Sequence, residues 1–303
     1  MRSSLDRIAL AVRGHGDPMI ELHERLASQI RALLATPPGE PLPAESSELV
    51  HEMLGLLERG AVRAAARGPD GTWRAVPWVK QGILLAFRAG RIAEHAPRGG
   101  GGFAYLDKDT LPVRLLAPGD GVRTVPGGSS IRRGAFIAPG VVCMPPMFIN
   151  IGAWVGAGTM VDSHALVGSC AQIGERVHLS AAAQVGGVLE PINAVPVVIE
   201  NDVIVGGNCG VYEGTVVREK AVLGAGVILT RGTPVHDLVR EKIYRGSVDT
   251  PLEIPASAVV VPGARAVRSR WGSDHGLSLH TPIIVKYRDV KTDLATALES
   301  WLR

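Results

Sequence analysis

The sequence predicts a left-handed parallel β-helix, and three observations carry that prediction. From Ile131, every sixth residue is small-to-medium and apolar: Ile131, Ile137, Cys143, Ile149, Val155, Val161, Val167, Ile173, Leu179 and Val185. After a gap the beat resumes at Ile199, Val205, Val211, Val217, Leu223 and Leu229. Four places after these lies a second row of compact residues, among them Ala135, Ala153, Thr159, Ala165, Ala171, Ala183, Cys209, Thr215 and Ala221. Many apolar positions are followed by glycine, as in Val155-Gly156, Val167-Gly168 and Leu223-Gly224. A period of six fits neither a helix nor a two-residue strand alternation. It is the period of hexapeptide coils, in which three short sides close one turn. The apolar residue points inward, the compact one sits near a corner, and glycine is expected to supply backbone shapes that other residues resist.

Before the beat, residues 1–95 read as a mostly helical N-terminal domain. Apolar residues recur at helical spacing in Pro18 to Leu34, and prolines 37, 38, 41 and 43 end that helix. A second helix opens near Glu45-Ser46-Ser47 and runs to Gly60. Pro69-Asp70-Gly71 marks a hairpin turn, and Trp78 to Phe87 is a further buried helix. Residues 96–130 form a linker or bridge that includes the run PRGGGG. The β-helix spans 131–263. Its interruption at 186–198 is too long for a corner and is expected to be an excursion reaching toward a neighbouring subunit. Val235 to Ser247 reads as a loop. Residues 264–303 supply a small C-terminal cap, with a strand at Pro282 to Tyr287 and a helix at Thr292 to Leu302. A solenoid of this kind needs its two ends covered.

Composition narrows the function. The chain has 303 residues, 46 % hydrophobic, so a large core is possible; 32 basic against 29 acidic residues leave a net charge of +3, too balanced for a dedicated nucleic-acid binder. No run of eighteen apolar residues exists, so no membrane span is expected. The N-terminus lacks the apolar core of a signal peptide, which points to a cytoplasmic protein. Cys143, Cys170 and Cys209 show no metal-ligand spacing, and no metal is expected. Flat prism faces carrying apolar residues commonly pack about a three-fold axis, so a homotrimer is expected.

The stretch GAFIAPGVVCMPPMFINIGAWVGAGTMVDSHALVGSCAQIGERVHLS, then GGVLEP, then YEG, closely resembles the tetrahydrodipicolinate N-succinyltransferase family. ELVHEMLGLLERGAVRAAARGPDGTWRAVPWVKQGILLAFR resembles that family's helical domain, and the likeness covers roughly residues 47–290. The resemblance implies a trimer that binds succinyl-CoA, as cosubstrate, in clefts between prisms. It implies direct transfer of succinyl to the amine of a small carboxylate-bearing acceptor, tetrahydrodipicolinate by default. Such chemistry needs the nitrogen held against the thioester carbonyl, a donor for the oxyanion and a base near the nitrogen. By resemblance Asp162, in MVDS, is the catalytic aspartate; by spacing alone it reads as a corner-capping carboxylate. Arg123, in GVRTVP, matches an arginine that grips an acceptor carboxylate, a task that suits its forked guanidinium.

Departures from the family pattern cluster. A second catalytic glutamate of the family is Gly210 here. Asn208-Cys209 replaces an arginine-serine pair, Ala181-Ala182 a glycine pair, and His164 a tryptophan. The donor side is otherwise intact, so an altered acceptor pocket is expected around Gly210, Asn208, Ala181 and Ala182. His164, two places after Asp162, is expected to share its strand and face and to take over proton removal. Two alternatives follow: a specialised-metabolism enzyme that succinylates another amino or hydrazino acid, and a catalytically inactive scaffold. Restoring glutamate at 210 should help the family acceptor and no other. The donor is read as succinyl, with acetyl left open. Arg218, Lys220 and Arg231, on late coils, are candidates for the coenzyme A phosphates. His178 in RVHLS reads as a packing or hydrogen-bonding residue, and Glu190 sits on the excursion.

Overall fold

The computed structural model describes residues 18–95 and 105–289; the PRGGGG run and the C-terminal helix read at Thr292 to Leu302 lie outside them. The hexapeptide beat folds as a left-handed parallel β-helix, a triangular prism of two-residue strands. The first face stacks Ser130–Ile131, Phe148–Ile149, Leu166–Val167, Gln184–Val185, Gly210–Val211 and Ile228–Leu229. The second stacks Phe136–Ile137, Trp154–Val155, Gln172–Ile173, Val198–Ile199, Val216–Val217 and Glu253–Ile254. The third begins at Arg123–Thr124 and climbs through Val142–Cys143, Met160–Val161, His178–Leu179, Ile204–Val205, Val222–Leu223 and Ala258–Val261. The first rung therefore lies at 123, inside the segment expected to be only a bridge.

Register explains the period. Each apolar residue pairs in parallel with the one three hexads on, as Val155 with Ile173 and Val161 with Leu179. All point down the prism axis; Val161, Val167, Ile173, Leu179 and Val205 have no exposed surface. Each such burial stabilises by about 1.5–3 kcal/mol. The compact row closes the gaps between them, with Ala135, Thr159, Ala171 and Thr215 equally inaccessible.

The glycines after the apolar row act differently from the expectation. Gly156, Gly168, Gly174, Gly206 and Gly224 are not in the left-handed region. They are needed because stacked coils touch there: a Cβ on Gly156 would lie 2.5 Å from the carbonyl of Gly174. Left-handed backbone falls two residues later, at Gly140, Gly152 and Gly158 but also at His164, Cys170, Arg176, Ala182, Asp202, Asn208 and Lys220. Gly156→Ala is expected to cost about 1–3 kcal/mol through overpacking and to lower Tm in a calorimetric scan. Gly119→Ala, with nothing within 4 Å of its Cβ position, is the matched control.

The helices α1 (Pro18–Leu34), α2 (Ser46–Glu58) and α3 (Pro77–Ala89) build a separate core from Leu26, Ile30, Val50, Met53, Leu54 and Ile83. Pro77 opens α3 at a position where its missing N–H costs nothing. The hairpin Ala65–Arg67 with Trp73–Ala75 turns where Pro69-Asp70-Gly71 predicts. This unit covers the second face. Arg63 lies over the Trp154 ring at 3.8 Å and donates to Gln172, and Trp154 stacks on Phe136. Val235–Asp237 and Lys242–Tyr244 form an antiparallel hairpin where a loop is expected. Ile283–Tyr287 inserts between that hairpin and the last rung and closes the top of the third face. A short helix, α4 (Arg270–Asp274), is capped by the Ser269 hydroxyl.

Candidate active site

Asp162 follows the third-face strand Met160–Val161, so it projects outward where Val161 projects inward. Its carboxylate is half-buried. One oxygen accepts the Ser163 N–H at 2.7 Å, a corner-capping bond, and the other lies 4.0 Å from Nε2 of His178. His178 reaches it because the strands Met160–Val161 and His178–Leu179 are neighbouring rungs in register. His178 therefore stands beside the carboxylate although sixteen residues separate them in sequence. The single signal available in the sequence was the three-hexad register, which places residue 178 directly above residue 160.

His164 does not share a strand with Asp162, contrary to expectation. The strand ends at Val161, and residues 163–164 form the corner turn. His164 adopts φ +63° there, its N–H bonded to the Pro146 carbonyl and its side chain exposed. The two-residue alternation fails because the sides of the prism are too short to extend past Asp162. That corner gathers other predicted residues instead. His164, Ala182 and Asn208 stack as left-handed corner residues on successive coils, tied by Ala182 N–H to Ser163 O at 2.8 Å and Asn208 N–H to Ala181 O at 3.0 Å. Gly210 lies just past the same corner, on the first face, two rungs above the level of Asp162. Two rungs span about 10 Å. Arg123 is exposed on the third face, three rungs below His178 in the same outward column. Asp162, Arg123 and His178 thus share one face, and the altered residues line the adjoining corner.

The coenzyme-binding candidates do not converge. Arg218 is occupied: its guanidinium donates to both oxygens of Glu253, to Glu200 at 2.9 Å and to the Gly71 carbonyl at 3.0 Å. Burial pulls its pKa down, and these two carboxylates more than offset that, leaving it above the usual arginine value. It anchors the N-terminal hairpin to the second face. Lys220 sits at the corner between the second and third faces, and Arg231 beyond the first face, its N–H bonded to Glu213. The three candidates therefore lie on different sides and corners of the prism.

The excursion leaves the prism after Val185 and carries Glu190 exposed at its tip. Lys80 of α3, wholly buried, holds it by donating to the Ala194 carbonyl at 2.6 Å; burial lowers the pKa of that ammonium. All three cysteines are buried, and burial pushes the thiols of Cys143 and Cys170 up to about 12. Such thiols are neutral and shielded, poor candidates for an acyl-enzyme nucleophile. Among the described residues no group of three or more His, Cys, Asp or Glu side chains gathers as a metal site requires, and no helix is long and apolar enough to cross a membrane. A cleft of about 680 Å³ opens between α2 and residues 112–120, but neither Asp162, His178 nor Gly210 lines it.

A prism of stacked hexapeptide coils joined to a helical N-terminal unit places the chain in the class of hexapeptide-repeat acyltransferases. Comparison with known proteins narrows the class. Residues 31–89 match the family model for the tetrahydrodipicolinate N-succinyltransferase N-terminal domain, and residues 196–231 match that for the hexapeptide repeat of succinyl-transferase. The chain is 42 % identical over 265 residues to 2,3,4,5-tetrahydropyridine-2,6-dicarboxylate N-succinyltransferase of Nitrobacter winogradskyi, covering 86 % of this chain and 90 % of that one. It is 41 % identical over 269 residues to the enzyme of the same name from Polynucleobacter asymbioticus, covering 87 % and 92 %. The chain belongs to the tetrahydrodipicolinate N-succinyltransferase family.

Proposed function

We propose that this chain transfers succinyl from succinyl-CoA to the ring nitrogen of 2,3,4,5-tetrahydropyridine-2,6-dicarboxylate, with Asp162 taking the proton. The observation that carries this reading is Asp162 itself, outward on the third face, braced by Ser163 and faced by His178. The acceptor in the relatives' name is a cyclic imine, so water must add across its C=N bond before the nitrogen bears a proton. The nitrogen then attacks the thioester carbonyl. A C–N bond forms, the C–S bond breaks, and coenzyme A leaves as the thiol. The proton lost from nitrogen passes to the Asp162 carboxylate and from there to the departing sulfur, while Arg123 holds an acceptor carboxylate as a forked donor. Neither a different acceptor nor an inactive scaffold finds support among the relatives.

The working unit in this proposal is a cytoplasmic homotrimer. The second face is covered by the chain's own helical unit, whereas half-buried Phe148, Leu166 and Ile228 on the first face and Ile204 and Val222 on the third point outward. A neighbour about a three-fold axis would cover them and bring its own corner against Asp162. Light scattering should then return about three times the chain mass of 31.9 kDa. Thiol release from succinyl-CoA, followed with the cyclic imine and with a panel of other amines and hydrazino acids, tests the activity. Turnover that prefers another acceptor, or no turnover at all, would overturn the reading.

A further inference from the structure

Gly210 and Gly186 have no positive φ to explain them. What they share is the ring of Tyr212. A Cβ at Gly210 would lie 2.4 Å from Tyr212 Cε2 and 2.9 Å from its hydroxyl oxygen; a Cβ at Gly186 would lie 2.8 Å from Tyr212 Cδ1. Gly210 opens the first-face strand Gly210–Val211 and Tyr212 follows it, and Gly186 occupies the position beneath Tyr212 on the rung below. The ring therefore lies flat across two rungs, in space that any other residue at 210 or 186 would fill. It is half-buried, and among the described residues its hydroxyl has no hydrogen-bond partner. The hydroxyl end of the ring lies over Gly210, which opens this face just past the corner of Ala182 and the exposed Asn208.

We infer that Tyr212 is the residue that selects the acceptor in this chain. Glycine on two sides fixes the ring, so little freedom remains to be lost when a ligand binds. The phenol is a neutral donor, and a carboxylate oxygen of a small dicarboxylate is the partner its chemistry suits. The ring also accounts for Gly210: a glutamate introduced there meets the ring first. This inference rests on the proposed function for the identity of the acceptor and on the packing of the Tyr212 ring against Gly210 and Gly186 for the residue.

The test uses three readouts on the full chain. Tyr212→Phe keeps the ring and removes the donor. It should raise KM for the cyclic imine about tenfold, with kcat and the KM for succinyl-CoA unchanged, as expected for a hydrogen bond to a charged group worth about 1.5 kcal/mol. Calorimetry with pyridine-2,6-dicarboxylate, the unreactive aromatic analogue, should show a matching tenfold loss of affinity. Equal affinity of wild type and Tyr212→Phe, or no binding to wild type, would overturn the inference. Wild type that binds the analogue but releases no thiol would sink the proposed function and leave the role of Tyr212 standing. Thermal scans address the steric half: Gly210→Ala should lower Tm in the wild type and lower it less in a Tyr212→Val background. Equal shifts in both would show that the ring does not hold that space.

Discussion

Asp162→Asn should lower kcat by about a hundredfold or more, within the range that a positioned acid or base contributes, while Tm and the KM for succinyl-CoA stay close to wild type. The substitution is nearly isosteric. The amide oxygen still accepts the Ser163 N–H that closes the corner, so the coil is kept and the capacity to take a proton is lost. Those two roles are what must be separated, because a carboxylate one place past an inward residue caps a corner whether or not it also performs chemistry. Single-turnover rates together with a calorimetric scan make the separation. A variant with unchanged kcat and a lowered Tm would assign Asp162 to the corner alone. Loss of rate at constant Tm assigns it to the transfer step.

Arg218→Ala should destabilise the chain by about 3 kcal/mol or more and leave succinyl-CoA binding untouched. Glu200 is only 8 % exposed, and it accepts from Arg218, from the Trp73 ring N–H at 2.9 Å and from the Glu219 N–H. Removing the guanidinium leaves that buried carboxylate with only the exposed Arg67, 3.8 Å away, as a cation, close to the situation in which breaking a buried pair is costly. Exposed pairs such as Arg74–Asp70 would show far less, because water screens both partners. Arg218→Lys should recover only part of the loss, since an ammonium cannot grip both oxygens of Glu253 while it reaches Glu200 and the Gly71 carbonyl. The expected readout is a lower Tm, with KM for succinyl-CoA within twofold of wild type. A raised KM at unchanged Tm would return Arg218 to the coenzyme site.

The architecture was legible in the sequence because the prism repeats. A period of six is a local property, and each hit from Ile131 to Leu229 needs only its own hexad to be recognised. The helical unit was legible for a similar reason, since its caps, prolines and apolar stripes are short-range signals. The hairpin at Val235–Tyr244 was missed because its first strand is stabilised by pairing with Ile283–Tyr287, far along the chain. The mistake over His164 has the same origin: alternation was extended past a corner that only the closed coil creates.

Residue types and spacing alone established the hexapeptide prism and the outward placement of Asp162, because both are functions of position within a hexad; the family resemblance and the cluster of departures that includes Gly210 came from local motifs read along the chain. Tertiary structure was required to set His178 rather than His164 beside Asp162, to tie Arg218 to Glu200 and Glu253, and to lay the Tyr212 ring over Gly210 and Gly186. Those relations run between rungs, around a corner or out to another unit. Their distances depend on how coils stack and which way a side chain leans, and no linear spacing encodes that.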